Sequence, residues 1–570
     1  ALRRWWKAFI CAPTTGRNVT MHRISLRRAG RRPAAARLLA GLVALPVALA
    51  CNSGAAGQRA DPPPLLSGLG DHHLAISTSD TLAQRYFDQG LRLAYAFNHP
   101  EALRAFREAA RLDPRCAMCE WGVAYVLGPN INAAMDTAAV PEAYAAAQKA
   151  RQLAGSATER ERALIEAMAV RYAATAPASR ASLDTAYANA MRAVAARFPR
   201  DDDVAALYAE ALMDTSPWSY WTEALQPRPY TGEMLAALEQ ALARTPRHPG
   251  VCHFYIHAVE AAYPRRAVAC AERLAALMPN AGHIVHMPGH IYIRVGRYND
   301  AIEANVHAVH VDESYIADQG AQSSYTAGYY PHNYHFLALA ATLAGRSADA
   351  IAAARKVVEK TPAEVARVAP DLEGLLSYGH LALVTFGRWD EVLTEPLPPA
   401  DLRFATALAQ YARGVALAAT GKRDQALAAL DTVKAVSATV EAEPASTVLE
   451  IAALALDGEI AARTGRLDTA IERFGAAMAL EDGLPYMEPP FWYYPIRHSL
   501  GALLLKAGRP ADAERLYRQD LERFPENGWS LFGLRQSLVV QGKSRDAAAV
   551  KRRLDAAWSR ADVTLTASRF

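Results

Sequence analysis

One pattern constrains this chain more than any other: a small residue, an alanine, an aromatic, a second alanine and a proline recur at fixed offsets. Gly90, Ala102, Phe106, Ala109 and Pro114 fill all five places. Gly458, Ala470, Phe474 and Ala477 repeat the spacing, as do Gly501, Ala513, Tyr517 and Pro525. Gly289, Ala301 and Ala308 match in part, and so do Gly414 and Ala426. Turns of one kind lie between the paired segments: Gly296-Arg297-Tyr298, Gly345-Arg346, Gly387-Arg388-Trp389, Gly421-Lys422, Gly465-Arg466 and Gly508-Arg509. Glycine lets a helix end in a left-handed conformation that a Cβ disfavours. Small residues on facing helices let the two backbones approach closely. No run of alternating Val, Ile and Thr suggests a sheet.

These offsets are those of the tetratricopeptide repeat, whose period is about 34 residues. The expected fold is therefore all-α, a tetratricopeptide-repeat superhelix: an α-solenoid of antiparallel helix pairs over residues 81–570. A chain of 570 residues would ordinarily divide into several domains. A solenoid instead grows by adding repeats, each buried against its neighbours. The 51% apolar content suffices for that.

Histidines recur on the same frame. His253 and His257 are four apart, and His286 and His290 repeat the spacing 33 residues later. His332 and His335 echo His283 and His286. Positions three and four apart share a helix face. Counted back from Ala301, His283, His286 and His290 take the second, fifth and ninth positions of the first helix of a pair. Counted back from Ala350, His332 and His335 take the second and fifth. His253 and His257 come out one place late unless the short turn at Tyr263-Pro264 has lost a residue, and with that residue restored they are fifth and ninth. In this repeat family those positions line the concave groove, as does the twelfth, where Glu260 falls. Neighbouring helices pack roughly 8–10 Å apart, so imidazoles on adjacent helices can share a ligand. The candidate metal set is thus His253, His257, Glu260, His283, His286, His290, His332 and His335, with Zn, Cu or Fe as the candidate ion. Glu260 could ligate, or could orient a ring from behind. The spacing is not the H-E-x-x-H of a zinc protease, because Phe254 and Met287 stand where Glu belongs. Pro288 implies that the helix bearing His290 is kinked or starts late. The competing expectation is a polar groove that binds a peptide or polyanion, or rings hydrogen-bonded to Tyr255, Tyr292 and Tyr334. His307 and His310 read as surface residues, His99 as turn chemistry, and His498 as another groove position.

The first 50 residues hold ten Lys or Arg and no Asp or Glu, and end in an apolar run, Leu38 to Ala50, before Cys51. This reads as an export leader over residues 1–50, too short to span a bilayer. Residues 1–20 precede Met21, the expected true start. Ala48-Leu49-Ala50-Cys51 resembles a bacterial lipoprotein box, so Cys51 is the expected lipidation site, and residues 51–80 are the expected flexible tether. Beyond the leader remain 52 basic and 58 acidic residues, which argues against a nucleic-acid partner. The expected compartment is the bacterial periplasm or cell envelope, with the chain membrane-anchored through lipid.

Cys116 and Cys119 form a C-x-x-C pair expected on one helix, and in an oxidising compartment a local disulfide. Cys252 and Cys270, on the two helices of one repeat, could bridge or simply pack. Trp218, Trp221 and Phe491 to Tyr494 form aromatic clusters expected to pack as loops over the solenoid. No nucleophile elbow, phosphate-binding loop or dinucleotide fingerprint is present.

Several runs carry a family resemblance: Phe97-Asn98-His99-Pro100-Glu101-Ala102, Gly282 to His290, Phe386-Gly387-Arg388-Trp389-Asp390-Glu391, Asn527-Gly528-Trp529-Ser530-Leu531 and the terminal Ala561 to Phe570. Together they resemble a group of long bacterial tetratricopeptide-repeat proteins that often carry lipoprotein leaders. The resemblance covers roughly residues 80–570 and implies fold and compartment, leaving the activity open. The expected function is a lipid-anchored binding or assembly module that takes a protein or peptide partner through a His-rich concave groove. The alternative is a metal-binding protein or metal-dependent enzyme built on the same histidines.

Overall fold

A computed structural model describes residues 62–320 and 323–570. Every named element among them is helical, beginning with Thr81–Tyr95 and ending with Ser544–Ala557, and the bridges Asn130–Ala133 and Trp221–Pro227 are isolated. Consecutive helices pack as pairs throughout. The protein is an all-α solenoid of tetratricopeptide-like helix pairs. The leader, Met21 and Cys51 lie outside the described residues. No described helix is long and apolar enough to cross a membrane.

The repeat pattern works by close approach. The Phe106 ring, on the second helix of its pair, lies against Gly90 on one side and Gly122 of the next repeat on the other. A Cβ added at Gly122 would come within 2.3 Å of that ring. Tyr517 sits likewise between Gly501 and Gly533. The turn glycines behave as their sequence context requires: Gly296, Gly345, Gly387, Gly421, Gly465 and Gly508 all have φ between 64° and 81°. Gly542 closes a further pair in the same way.

The array is wound tightly enough that distant repeats touch. Tyr298 donates its hydroxyl to the Pro525 carbonyl at 2.7 Å, and Trp529 Nε1 donates to the Thr342 carbonyl at 2.9 Å. The Asp562 carboxylate accepts from the backbone N–H groups of Ser347 and Ala348. At the other end, Asn280 N–H bonds the Gly68 carbonyl. The face that the sequence presents as a concave groove is buried at His253, His257, His283, His286 and His290.

Two expectations are corrected. The tether over residues 51–80 does not extend through its second half, because residues from about Leu65 are strapped onto the repeats. Leu69 and Leu74 are buried, His73 meets Asp88 at 2.8 Å, and Thr78 Oγ1 donates to Asp113. Burial of two leucines and several charge-assisted bonds offset the ordering of a segment that composition alone marks as loose. Cys116 and Cys119 are disulfide-bonded, with Cα atoms 5.3 Å apart, but they do not share a helix. Cys116 is the extended N-cap of the Ala117–Leu127 helix (φ −71°, ψ 102°), and leaving helical geometry there accommodates the short loop.

Candidate metal centre

Four elements of the inner face build the site. The helix Pro249–Val259 supplies His253 and His257, with Glu260 as its C-cap. The Gly282–His286 helix supplies His283 and His286. The helix is interrupted at Met287 and restarts at Pro288 in the Pro288–Val295 helix, which carries His290. Proline at the first helical position lacks only an N–H that would have no partner there anyway. The expected interruption is thus present, and it keeps His286 and His290 adjacent. His332 comes from the Ser324–Leu343 helix.

Six imidazoles gather in two groups of three, His253, His257 and His283, and His286, His290 and His332. In each, one ligand atom per residue lies within 4.8 Å of the others. The groups are neighbours: the ring of His257 is 5.3 Å from that of His290, and His283 is 5.7 Å from His286, centroid to centroid. Only His332 keeps partial exposure, while His253 and His286 are 0% exposed. Phe97 packs over the first group and Phe336 over the second. Trp218 meets His257 edge-on at 5.1 Å. Phe97 and Trp218 both hold positive φ, 55° and 61°, a strained conformation for side chains of that size.

The hydrogen bonds decide what the rings offer. His253 Nδ1 meets the Tyr95 carbonyl at 2.7 Å, which can only accept. His286 Nδ1 meets Asn305 Oδ1 at 2.8 Å, and Asn305 is oriented by its own amide N–H bond to the Ala301 carbonyl. The Glu260 carboxylate takes one ring from each group, Oε1 from His257 Nδ1 at 3.1 Å and Oε2 from His290 Nδ1 at 2.5 Å. Four rings therefore carry their proton on Nδ1 and present a lone pair at Nε2. Yet His286 Nε2 lies 2.9 Å from His290 Nε2, and His253 Nε2 lies 3.1 Å from His283 Nε2. The second contact can be a hydrogen bond if His283 is protonated on Nε2, which leaves its buried Nδ1 without a partner. With both rings neutral, the first contact sets lone pair against lone pair. Buried His257 Nε2 has no partner either. A buried nitrogen without a partner costs about 1–3 kcal/mol.

Burial pushes the pKa of His253, His283, His286 and His332 well below the usual imidazole value, and neighbouring imidazoles push in the same direction. Burial also raises Glu260, but His290 and His257 outweigh it and hold its carboxyl at about 2. His253, His257, His283, His286 and His332 are thus held toward the neutral form beside one ionised carboxylate.

Three candidates take other places. Glu260 also brings an oxygen within 4.8 Å of ligand atoms of His257 and His290, but its contacts here are with their Nδ1 atoms, the arrangement of a carboxylate that orients rings from behind. His335 stands apart, its ring 4.3 Å from Tyr378, because one more turn along its helix carries it past the meeting point. His498 is bonded to Asp520 and Asn527. Tyr255 and Tyr334 donate to Glu239 and Glu313, and Tyr292 lies under Arg297, so none of the three serves a histidine. His307 and His310 are exposed, as expected. Asn305 was missed, although the sequence carries its signal. It occupies the offset from Gly289 that Phe106, Phe474 and Tyr517 hold from their own glycines, so the repeat surrenders its aromatic there to orient His286. Tyr95, acting through its backbone carbonyl, has no side-chain signal.

No family model matches the sequence, and no curated protein does. Among solved structures, the human IFIT1 dimer with m7Gppp-AAAA is similar at 13% identity and a TM-score of 0.32, covering 85% of this chain and 91% of that one. The APC/C hetero-tetramer Cut9–Hcn1 is similar at 13% identity and a TM-score of 0.31, covering 83% and 76%. Likeness at that level carries no argument about what this chain binds.

Proposed function

We propose that the protein is an exported, lipid-anchored helical-repeat protein whose interior holds a transition-metal centre made by His253, His257, His283, His286, His290 and His332. The observation that carries this reading is the 2.9 Å approach of His286 Nε2 to His290 Nε2 while both Nδ1 atoms are engaged. Rings fixed from behind by a carboxylate or amide, with free Nε2 atoms converging, are the arrangement that metal-ligating histidines adopt. A single proton on one ring would relieve that pair but leave His257 Nε2 without a partner, whereas metal ions serve all these nitrogens. Imidazole donors without an inner carboxylate favour zinc or copper over iron, whose oxygenase sites include a carboxylate. Three protein ligands leave a coordination position open, as catalytic zinc sites do, so hydrolytic or other Lewis-acid chemistry fits the site.

Contact of these rings with a peptide in an open groove does not fit, because five of the six are at most 2% exposed. A binding or assembly role, with a protein or peptide partner, rests on the outer faces of the repeats. The acidic balance of residues 51–570 supports partners other than nucleic acid. Export and lipidation at Cys51 are supported by the basic leader, and the Cys116–Cys119 disulfide suits an oxidising compartment.

Elemental analysis of protein made without a His-tag tests the reading. The expected result is zinc or copper that survives dialysis and disappears in the His286→Ala/His290→Ala double variant. Metal content indifferent to that substitution overturns it.

A further inference from the structure

Resting on that metal reading, we infer that the centre is dinuclear: one ion on His253, His257 and His283, a second on His286, His290 and His332, with a small anion, hydroxide in water, shared between them.

The argument begins with donor count. Six imidazoles are more than one tetrahedral or five-coordinate ion uses, since catalytic zinc takes three protein ligands and an exchangeable one. The six divide by geometry into two sets of three. The sets touch through two ring pairs, His257 with His290 and His283 with His286. Ions in two-metal centres stand about 3.5–4 Å apart, close enough to clamp one oxygen between them, and adjacent sets of this kind suit that separation.

Charge supplies the second step. An imidazole that ligates a metal is neutral, so two divalent ions would bring a large positive charge into a buried place. Among the described residues, Glu260 is the one carboxylate bonded to any of the six rings, and it acts on Nδ1 atoms from outside. Glu488 is a second buried carboxyl that interacts with Glu260 and His290, and two carboxyls do not offset two divalent ions. An anion in the open positions that binds both ions offsets the most charge at the least distance.

Glu260 also links the two halves. One oxygen fixes a ring of the first set and the other a ring of the second, so loading either ion sharpens the orientation of the carboxylate that serves the other. Exchange reaches the centre from the side of His332, the partly exposed ligand, beside Tyr329, whose half-buried ring lies 4.5 Å from His283.

The test is titration of chelator-stripped, untagged protein with Zn(II) and separately with Cu(II), bound metal being read by elemental analysis. The expected stoichiometry is two ions per chain, falling to one in His253→Ala and to one in His332→Ala. In the copper form the spin signal should fall well below the copper content, because a shared anion couples the two ions. It should match the copper content in either single-ion variant. Glu260→Gln, which keeps the shape but cannot accept from both rings, should weaken metal binding by about 10–100-fold. One ion per chain in the native protein overturns the dinuclear proposal and leaves the metal centre standing. No bound ion overturns both. Two ions with full spin intensity overturn the shared anion.

Discussion

Two histidine clusters among the described residues invite comparison, and their contrast shows what separates a structural cluster from a site. His72, His248 and Asp203 also bring three ligand atoms within 4.8 Å. There, however, every role is complementary. His248 Nδ1 accepts from the Val251 N–H as a helix cap, so its Nε2 donates to Asp203 at 3.2 Å. His72 Nε2 donates to the same carboxylate at 2.8 Å, as does the Tyr95 hydroxyl. Burial pushes the Asp203 carboxyl upward, but the bonds from His248 and His72 prevail and hold it well below the usual carboxylate range. Nothing in that cluster asks for a cation. In the six-imidazole cluster, protons are consumed on the outside and lone pairs face one another on the inside. Proximity alone fails to distinguish the two; proton direction does.

The largest expected difference between the clusters is in metal content. His286→Ala/His290→Ala should abolish bound metal, whereas His72→Ala/His248→Ala should leave it unchanged in protein that remains folded. Metal loss from the second variant would erase the distinction, and elemental analysis reads both.

A smaller effect, about 10–100-fold in metal affinity, is expected of Asn305→Leu. Leucine restores an apolar residue at a repeat position that elsewhere packs against glycine, so the helix pair survives while His286 loses the acceptor of its Nδ1 proton. Competition with a chromophoric chelator measures the change. Unaltered affinity would show that Asn305 is mere packing.

In stability the order reverses. Removing His248 takes one donor from the Asp203 carboxylate and a helix cap from Pro249–Val259, at a cost of about 1–3 kcal/mol. His332→Ala in metal-free protein should cost less, since it relieves crowding of like-behaving rings. Denaturant unfolding of both variants without metal gives the comparison.

The smallest effect is in pH. Rings buried neutral have folded pKa values below their unfolded value near 6.5, so the unfolded chain binds more protons in that interval. Metal-free protein should therefore keep its stability above about pH 6.5 and lose it as pH falls, through His253, His283, His286 and His332 together. The Asp203 cluster runs the same way but at lower pH, because the depressed group there is a carboxylate. A metal-free protein equally stable at pH 5 and pH 7 would contradict the neutral-ring assignment.

Much of this was legible in the sequence. Gly90 with Phe106, and the glycine turns, fix helix pairs through sterics that act locally and therefore show locally. The repeat register also placed His283, His286, His290 and His332 on one face. Sequence could not reveal that the face is buried, since that depends on Phe97 and Trp218, remote in sequence, packing onto the rings. For the same reason the strap from Leu65 to Asp80 read as a tether. Nor could it separate Glu260 as an orienting residue from Glu260 as a ligand, because that rests on which ring nitrogen its oxygens meet.

X-ray absorption at the metal edge of the loaded protein tests the central claim most directly. The account predicts a first shell of nitrogen and oxygen alone at about 2.0–2.1 Å, with outer-shell scattering from three imidazoles per ion. A sulfur shell at about 2.3 Å, as from Cys252 and Cys270 next to His253, or fewer than two imidazoles per ion, would contradict it.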